Sequence, residues 1–252
     1  MTPGGTLQIP VPPPVELTIA SFNTHWGIDA RGRPYDVAAA ARSLGADVLV
    51  VQEVWRPHAG PAFIDDVVVA TRLPIVNELV LAPDNMTGRP GRLPKQSPGE
   101  PPGTWGIAVL SALAVRRTFD IDLGCPPGDV VTRRAAACVE ISLAGRSLLI
   151  AGVHASHRLW GSPPQLRFLH KQLADDAVPS VIVGDCNMWG GVLQLLLPGR
   201  KRAVKGRTFP GHRPHSQIDH IWVSSDIEIV SGEVSGYLSS DHRAVRARLR
   251  LE

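Results

Sequence analysis

Short apolar runs that break off at a polar residue recur along this chain, and they constrain its fold more than any other feature. Asn23, Glu53, His154, Asp185, Asn187, Asp219 and His242 each stand at or beside the end of such a run. Buried at random in a core, these groups would be costly to desolvate. At the rim of a sheet, residues distant in sequence can be gathered into one site. The runs "VELTIASF", "DVLVVQEV", "GIAVLSAL", "AAACVEISL", "SLLIAGVHAS", "SVIVGD", "QIDHIWVS", "IEIVSGEV" and "AVRARLRLE" read as strands. "RPYDVAAAARSLGAD" reads as a helix closed by Gly45. "SPPQLRFLHKQLADDA" reads as another, capped by Ser162 with proline just inside, and "GGVLQLLLPG" as a third. Many strands, few helices and no compositional break predict one α/β domain on mixed sheets. It would occupy residues 15–252 after a proline-rich segment, 1–14, with the Pro/Gly-rich stretch from Pro83 to Gly103 as a long loop.

The 252 residues are 44% hydrophobic and 19% charged, the balance of a globular protein. A net charge of +3 suits an anionic partner without demanding one. Three widely spaced cysteines form neither a disulfide framework nor a zinc set. With no signal-peptide pattern and no apolar run long enough to span a membrane, the expectation is a cytoplasmic protein with no obligate protein partner.

Taken singly the polar residues are ambiguous. Asn23 and the Asp185-x-Asn187 pair could serve turns, and His154 could be a satisfied structural histidine. Glu53 is harder to explain, because a carboxylate in an apolar strand needs a partner or a metal. "QIDHIW" and "SSDHRA" each join Asp to His, a pairing that orients an imidazole. Strand alternation turns His220 away from Asp219, toward a structural role. His154 and His157 form H-x-x-H, but without a helix or a nearby cysteine this does not read as a zinc site.

In order, "SFNTHW", "VVQEV", "GVHAS", "VGDCN", "IDHIW" and "SSDHRAV" resemble the motifs of the endonuclease/exonuclease/phosphatase superfamily, over Ile19 to Val245. That group includes pancreatic-type DNases, abasic-site endonucleases, inositol-polyphosphate phosphatases and neutral sphingomyelinases. One departure is Cys186, where the family commonly carries a bulky aromatic. The resemblance implies a DNase I-like four-layer sandwich, two packed mixed β-sheets flanked by helices. It implies a metal-dependent phosphoesterase in which Glu53 ligates Mg²⁺ or Mn²⁺, Asn23 is a ligand or orienting group, and Asp241 completes the metal side. It places Asp185 and Asn187 against the attacking water and phosphoryl group. His154 would donate to a phosphoryl oxygen or protonate the leaving group, and Asp219 would hold His242 near phosphorus. Either Asp185 or His242 would take the water's proton.

The substrate is less constrained. Arg200, Lys201, Arg202, Lys205, Arg207 and Arg213 crowd an interval with no acidic residue. This is either a solvated loop or an anion-attracting rim. Arg246, Arg248 and Arg250 alternate along the last strand as its solvent face. Arg133 and Arg134 could reach a phosphate, and Arg134 is the residue assigned to substrate. Trp26, Trp55, Trp160 and Trp189 cluster near proposed site residues, as rim packing or as a stacking wall. Trp26, Trp160 and Trp189 are the ones expected to touch substrate. The lead substrate is a nucleic-acid phosphodiester, DNA or RNA. The runner-up is a small phosphorylated metabolite, and the rival outside catalysis is an anion-binding module.

Overall fold

The structure is a computed structural model that describes residues 14–82, 103–129, 131 and 133–252. The expected Pro/Gly-rich loop lies outside the described residues except for Gly103. So does the proline-rich N-terminal segment except for its last residue, Pro14. The strands are β1 (Val15–Asn23), β2 (Val48–Pro57), β3 (Ile75–Ala82), β4 (Gly103–Ser111), β5 (Ala114–Asp122) and β6 (Ala135–Leu143). They continue with β7 (Arg146–His154), β8 (Ser180–Asp185), β9 (Lys201–Arg202), β10 (Asp219–Val223), β11 (Ile227–Val234) and β12 (Val245–Leu251). The α-helices are α1 (Val37–Ser43), α2 (Phe63–Thr71), α3 (Ser162–Ala174) and α4 (Gly190–Leu196).

Two six-stranded sheets result, ordered β11-β12-β1-β2-β4-β3 and β5-β6-β7-β8-β10-β9. Among the described residues β1–β2 and β7–β8 are the parallel pairs and the rest are antiparallel, so both sheets are mixed. The facing sides of the sheets share one apolar core, which includes Ile19, Val50 and Val109 from the first and Val139, Ile150 and Val183 from the second. A second core packs α1 and α2 on the outer face of the first sheet, and a third packs α3 and α4 on the second. This is the four-layer arrangement expected.

Every run read as a strand is one. β3, β5, β9 and α2 are not foreshadowed by the apolar pattern. β5 is an edge strand whose side chains are mostly exposed, so its Arg and Asp residues break apolar alternation. α2 carries Val67, Val68 and Val69 in succession, a β-like composition that packing overrides. The cap of α3 is Gly161, one residue before the expected Ser162. The first and second arginines of the basic interval are structural: Arg200 is buried on Ser180 and His170, and Arg202 bonds Val204 and Gln217.

The two parallel pairs bring the ends of β1, β2, β7 and β8 to one edge of the sandwich. Gly184 makes that approach possible, with φ +145° and an ideal Cβ only 2.0 Å from the Val153 carbonyl oxygen. Gly184→Ala is expected to cost about 1–3 kcal/mol through overpacking and backbone strain. A lowered denaturant midpoint at unchanged m would show it.

Candidate active site

Glu53 sits at a bulge. The β2–β4 register shifts between Gln52 and Val54, and Glu53 takes φ +58°. A β-bulge re-aims a side chain, and here a carboxylate from an apolar strand reaches the sheet edge. Asn23, ending β1, donates through Nδ2 to Glu53 Oε1 at 3.2 Å and to Asp185 Oδ2 at 3.1 Å. That amide therefore bridges the sheets, while its Oδ1 accepts the His25 N–H at 3.1 Å.

Asp185 ends β8 and is 1% exposed. Its Oδ1 accepts the Asn187 N–H at 2.8 Å across a tight turn with Asn187 at φ +48°. The Asn187 amide in turn donates to the Ala155 carbonyl at 3.0 Å. Asp219 and His242 do not leave strands as expected. Asp219 opens β10 opposite Asp185, because β10 runs antiparallel to β8. His242 precedes β12, which runs antiparallel to β1. Strand starts and strand exits thus meet at the same edge. His242 Nδ1 lies 2.9 Å from Asp219 Oδ2, and its Nε2 lies 3.8 Å from Asp185 and 4.0 Å from Asp241.

His154 Nε2 lies 3.5 Å from Asp185 Oδ2 and 4.0 Å from Glu53 Oε1. Burial and then Arg134 hold the His154 pKa well below the usual imidazole value. Burial, then Asp241, raises the Glu53 carboxyl, and burial likewise raises Asp185 against the pull of His242. Burial opposes charge on His242 as well, but Asp219 and Asp185 outweigh it and its pKa is held well above the ordinary value. His220 points away as expected, fully buried, with Nε2 2.9 Å from the Met188 carbonyl.

Glu53, His154, Asp185, Asn187 and His242 line a cleft of roughly 280 Å³. Of the three tryptophans assigned to substrate, Trp26 is in its wall. Trp160 and Trp189 are 63% and 52% exposed on neighbouring loops and do not line it. Trp55 is buried in the core between the sheets. Arg134 also lines the cleft but is only 1% exposed. Its Nε and Nη2 meet the Asp129 carboxylate at 3.1 and 2.7 Å, and Nη1 donates to the His154 carbonyl at 3.2 Å. With three of its N–H groups engaged and its side chain almost wholly buried, Arg134 supports the wall in place of the free phosphate-binding arginine expected. Arg133 lies near Asp120 and Asp122.

The sequence did not announce Trp105, His157, Phe209 or Ile218 as lining residues. Trp105 packs against His154 at 5.0 Å between ring centroids, and Phe209 against His242 at 4.9 Å. A faint signal existed for His157 in the H-x-x-H spacing.

No curated protein sequence matches the chain. Solved structures do. The endonuclease/exonuclease/phosphatase from Beutenbergia cavernae DSM 12333 is similar with TM-score 0.71 and 22% identity, over 94% of this chain and 72% of that one. A mannosyl-6-phosphatase of Bacteroides thetaiotaomicron VPI-5482 gives 0.65 and 16%, over 92% and 99%. Truncated Caenorhabditis elegans TDP2 gives 0.61 and 16%, over 93% and 97%. The profile of the Endonuclease/Exonuclease/phosphatase family matches residues 20–242. With that match over most of its length and the DNase I-like sandwich beneath it, the chain belongs to the endonuclease/exonuclease/phosphatase family of phosphoesterase hydrolases.

Proposed function

We propose that the protein is a divalent-metal-dependent phosphoesterase that hydrolyses phosphodiesters, with nucleic acid as its lead substrate, by attack of a water activated at Asp185. The observation that carries this reading is the junction of Asp185 with Asn23, His154 and His242 at the edge shared by both sheets.

The site's residues fit a hard cation. Glu53 Oε2 is buried without a hydrogen-bond partner, and the neighbouring Asp241 is a second carboxylate. Oxygen donors of this kind suit Mg²⁺ or Mn²⁺. Glu53 and Asp241 would hold it, with Asn23 orienting Glu53, since its amide nitrogen donates to Glu53 and to Asp185. Asp185, Asp219 and His242 also form a compact donor group, but Asp219 and His242 already satisfy each other. When bound, the cation offsets negative charge on the phosphoryl oxygens.

The chain's own groups divide the remaining work. Asp185, with its proton affinity raised by burial, accepts the proton of the attacking water. His242, kept cationic by Asp219 and Asp185, stabilises charge developing at phosphorus, so of the two candidate bases Asp185 is the better suited. His154, kept neutral, donates a hydrogen bond to a phosphoryl oxygen. Asn187 holds the turn that aims Asp185. These roles need no covalent enzyme intermediate.

A polyanionic substrate is favoured by Lys205, Arg207 and Arg213, which remain exposed in the segment that leads to Asp219, whereas Lys201 pairs with Val223 at the far end of β10 and Arg200 and Arg202 are spent on the fold. The similarity to a Bacteroides mannosyl-6-phosphatase supports a small phosphorylated metabolite as the second reading. Turnover of plasmid DNA, RNA, bis-p-nitrophenyl phosphate and a panel of phosphometabolites separates them. Mg²⁺ or Mn²⁺ is expected to support turnover and EDTA to abolish it; turnover indifferent to EDTA would contradict the metal assignment. In the same assay Trp26→Ala is expected to raise KM by roughly 5- to 100-fold for ring-bearing substrates if the indole stacks on substrate. Trp160 and Trp189 would contact only the flanks of a longer substrate.

A further inference from the structure

We propose that His157 is a phosphate-binding residue of this site, presented by the buried Asp129 carboxylate that Arg134 anchors; this rests on the phosphoesterase reading above. The donors a phosphate would ordinarily find in the cleft are largely taken. Asn23 Nδ2 serves Glu53 and Asp185, Asn187 Nδ2 serves Ala155, and Arg134 serves Asp129 and His154. His242 Nδ1 faces Asp219. The indole nitrogens of Trp26 and Trp105 are buried in the wall.

His157 differs. Its side chain is 37% exposed and lines the cleft, with Nδ1 3.5 Å from Asp129 Oδ1. In an imidazolium both ring nitrogens donate, so a ring anchored through Nδ1 presents Nε2–H outward. The anchor is rigid. Asp129 has a fully buried side chain and meets Arg134 through two nitrogens. The two loops are also tied next door, where Arg158 Nε and Nη2 donate to the Gly128 carbonyl at 2.9 and 2.5 Å. Ser156 N–H is fixed on Gln165 Oε1 at 2.9 Å.

A buried ion pair adds little to stability over a well-packed apolar pair. Its geometric consequence is plainer: one guanidinium fixes the His154 backbone, and the carboxylate it neutralises fixes His157. Two Asp–His pairs, Asp219–His242 and Asp129–His157, therefore turn their imidazoles to the cleft. A non-bridging phosphoryl oxygen taken by His157 Nε2 would lock the phosphate while His154 and His242 act at the reacting bond.

The test uses the full chain with Mg²⁺, comparing wild type, His157→Ala and His157→Gln. For bis-p-nitrophenyl phosphate, His157→Ala is expected to raise KM about 10- to 100-fold, with kcat within about threefold. The inhibition constant of inorganic phosphate should rise by a similar factor. His157→Gln, which keeps a donor, should recover part of both, and melts should show all three proteins folded at the assay temperature. Titrating wild type with inorganic phosphate should also shift the imidazole nitrogen resonance of His157. An unmoved resonance, or phosphate inhibition unchanged in His157→Ala, overturns the proposal. If wild type hydrolyses no phosphate ester, the phosphoesterase reading fails, and the phosphate titration still decides the role of His157.

Discussion

Asp185→Ala is expected to lower kcat on a phosphodiester by roughly 10²- to 10⁴-fold, the usual contribution of a positioned general base. The protein should remain folded. Asp185 is buried beside other acidic and imidazole groups, and burial itself disfavours its charge. Removing a carboxylate from such a cluster relieves a cost to the folded state, so the melting temperature should hold or rise, as at other sites where function opposes stability. KM should change little, since the carboxylate faces water more than phosphate in this reading. Steady-state kinetics on the metal-loaded enzyme, with a melt of each variant, checks all three expectations. Unchanged kcat would remove Asp185 from the mechanism; loss of activity together with unfolding would mean that its role is structural.

The second large effect falls on stability. Arg134→Met is expected to destabilise the protein by about 3–5 kcal/mol, because it leaves the Asp129 carboxylate buried without its main partner. Burial raises the Asp129 pKa, but hydrogen bonds from His157 and Arg134 more than reverse this and hold it far below the usual range, so the group is charged when the pair is intact. The Nη1 bond to the His154 carbonyl is lost as well. For a chain of this length the melting temperature should fall by roughly 10 °C. The double variant Arg134→Met/Asp129→Asn should recover part of the loss, since the buried charge is gone. Equilibrium denaturation of wild type, both singles and the double gives the coupling directly. A single variant as stable as wild type would show that the pair carries no such load.

The sequence made much of this site legible for a physical reason. A polar residue at the end of an apolar run is conspicuous, and Asn23, His154 and Asp185 stand there because sheet edges collect them. Glu53 was conspicuous for its misfit, but the left-handed bulge that re-aims it leaves no mark in composition. Asp219 and His242 were visible as residues yet misplaced as strand exits, because their position depends on antiparallel pairing between segments far apart in sequence. Arg134 was invisible in another way. A positive charge beside the site looks available until the fold supplies Asp129, five residues earlier, as its partner. β5 and α2 escaped notice because each owes its structure to packing and not to local preference.

The Asn23 amide that joins Glu53 to Asp185 spans two sheets that, among the described residues, pair no strand with each other. The spacing between those sheets is fixed by interior side chains well away from the cleft. Gly152, where an ideal Cβ would stand 2.8 Å from Val50 Cγ1, shows how little slack that spacing has. The apolar interior thus serves the site as a ruler. Thickening or thinning it by a methyl group changes the gauge between the cation-facing and water-facing halves of the cleft, and moves the chemistry without touching a single polar residue.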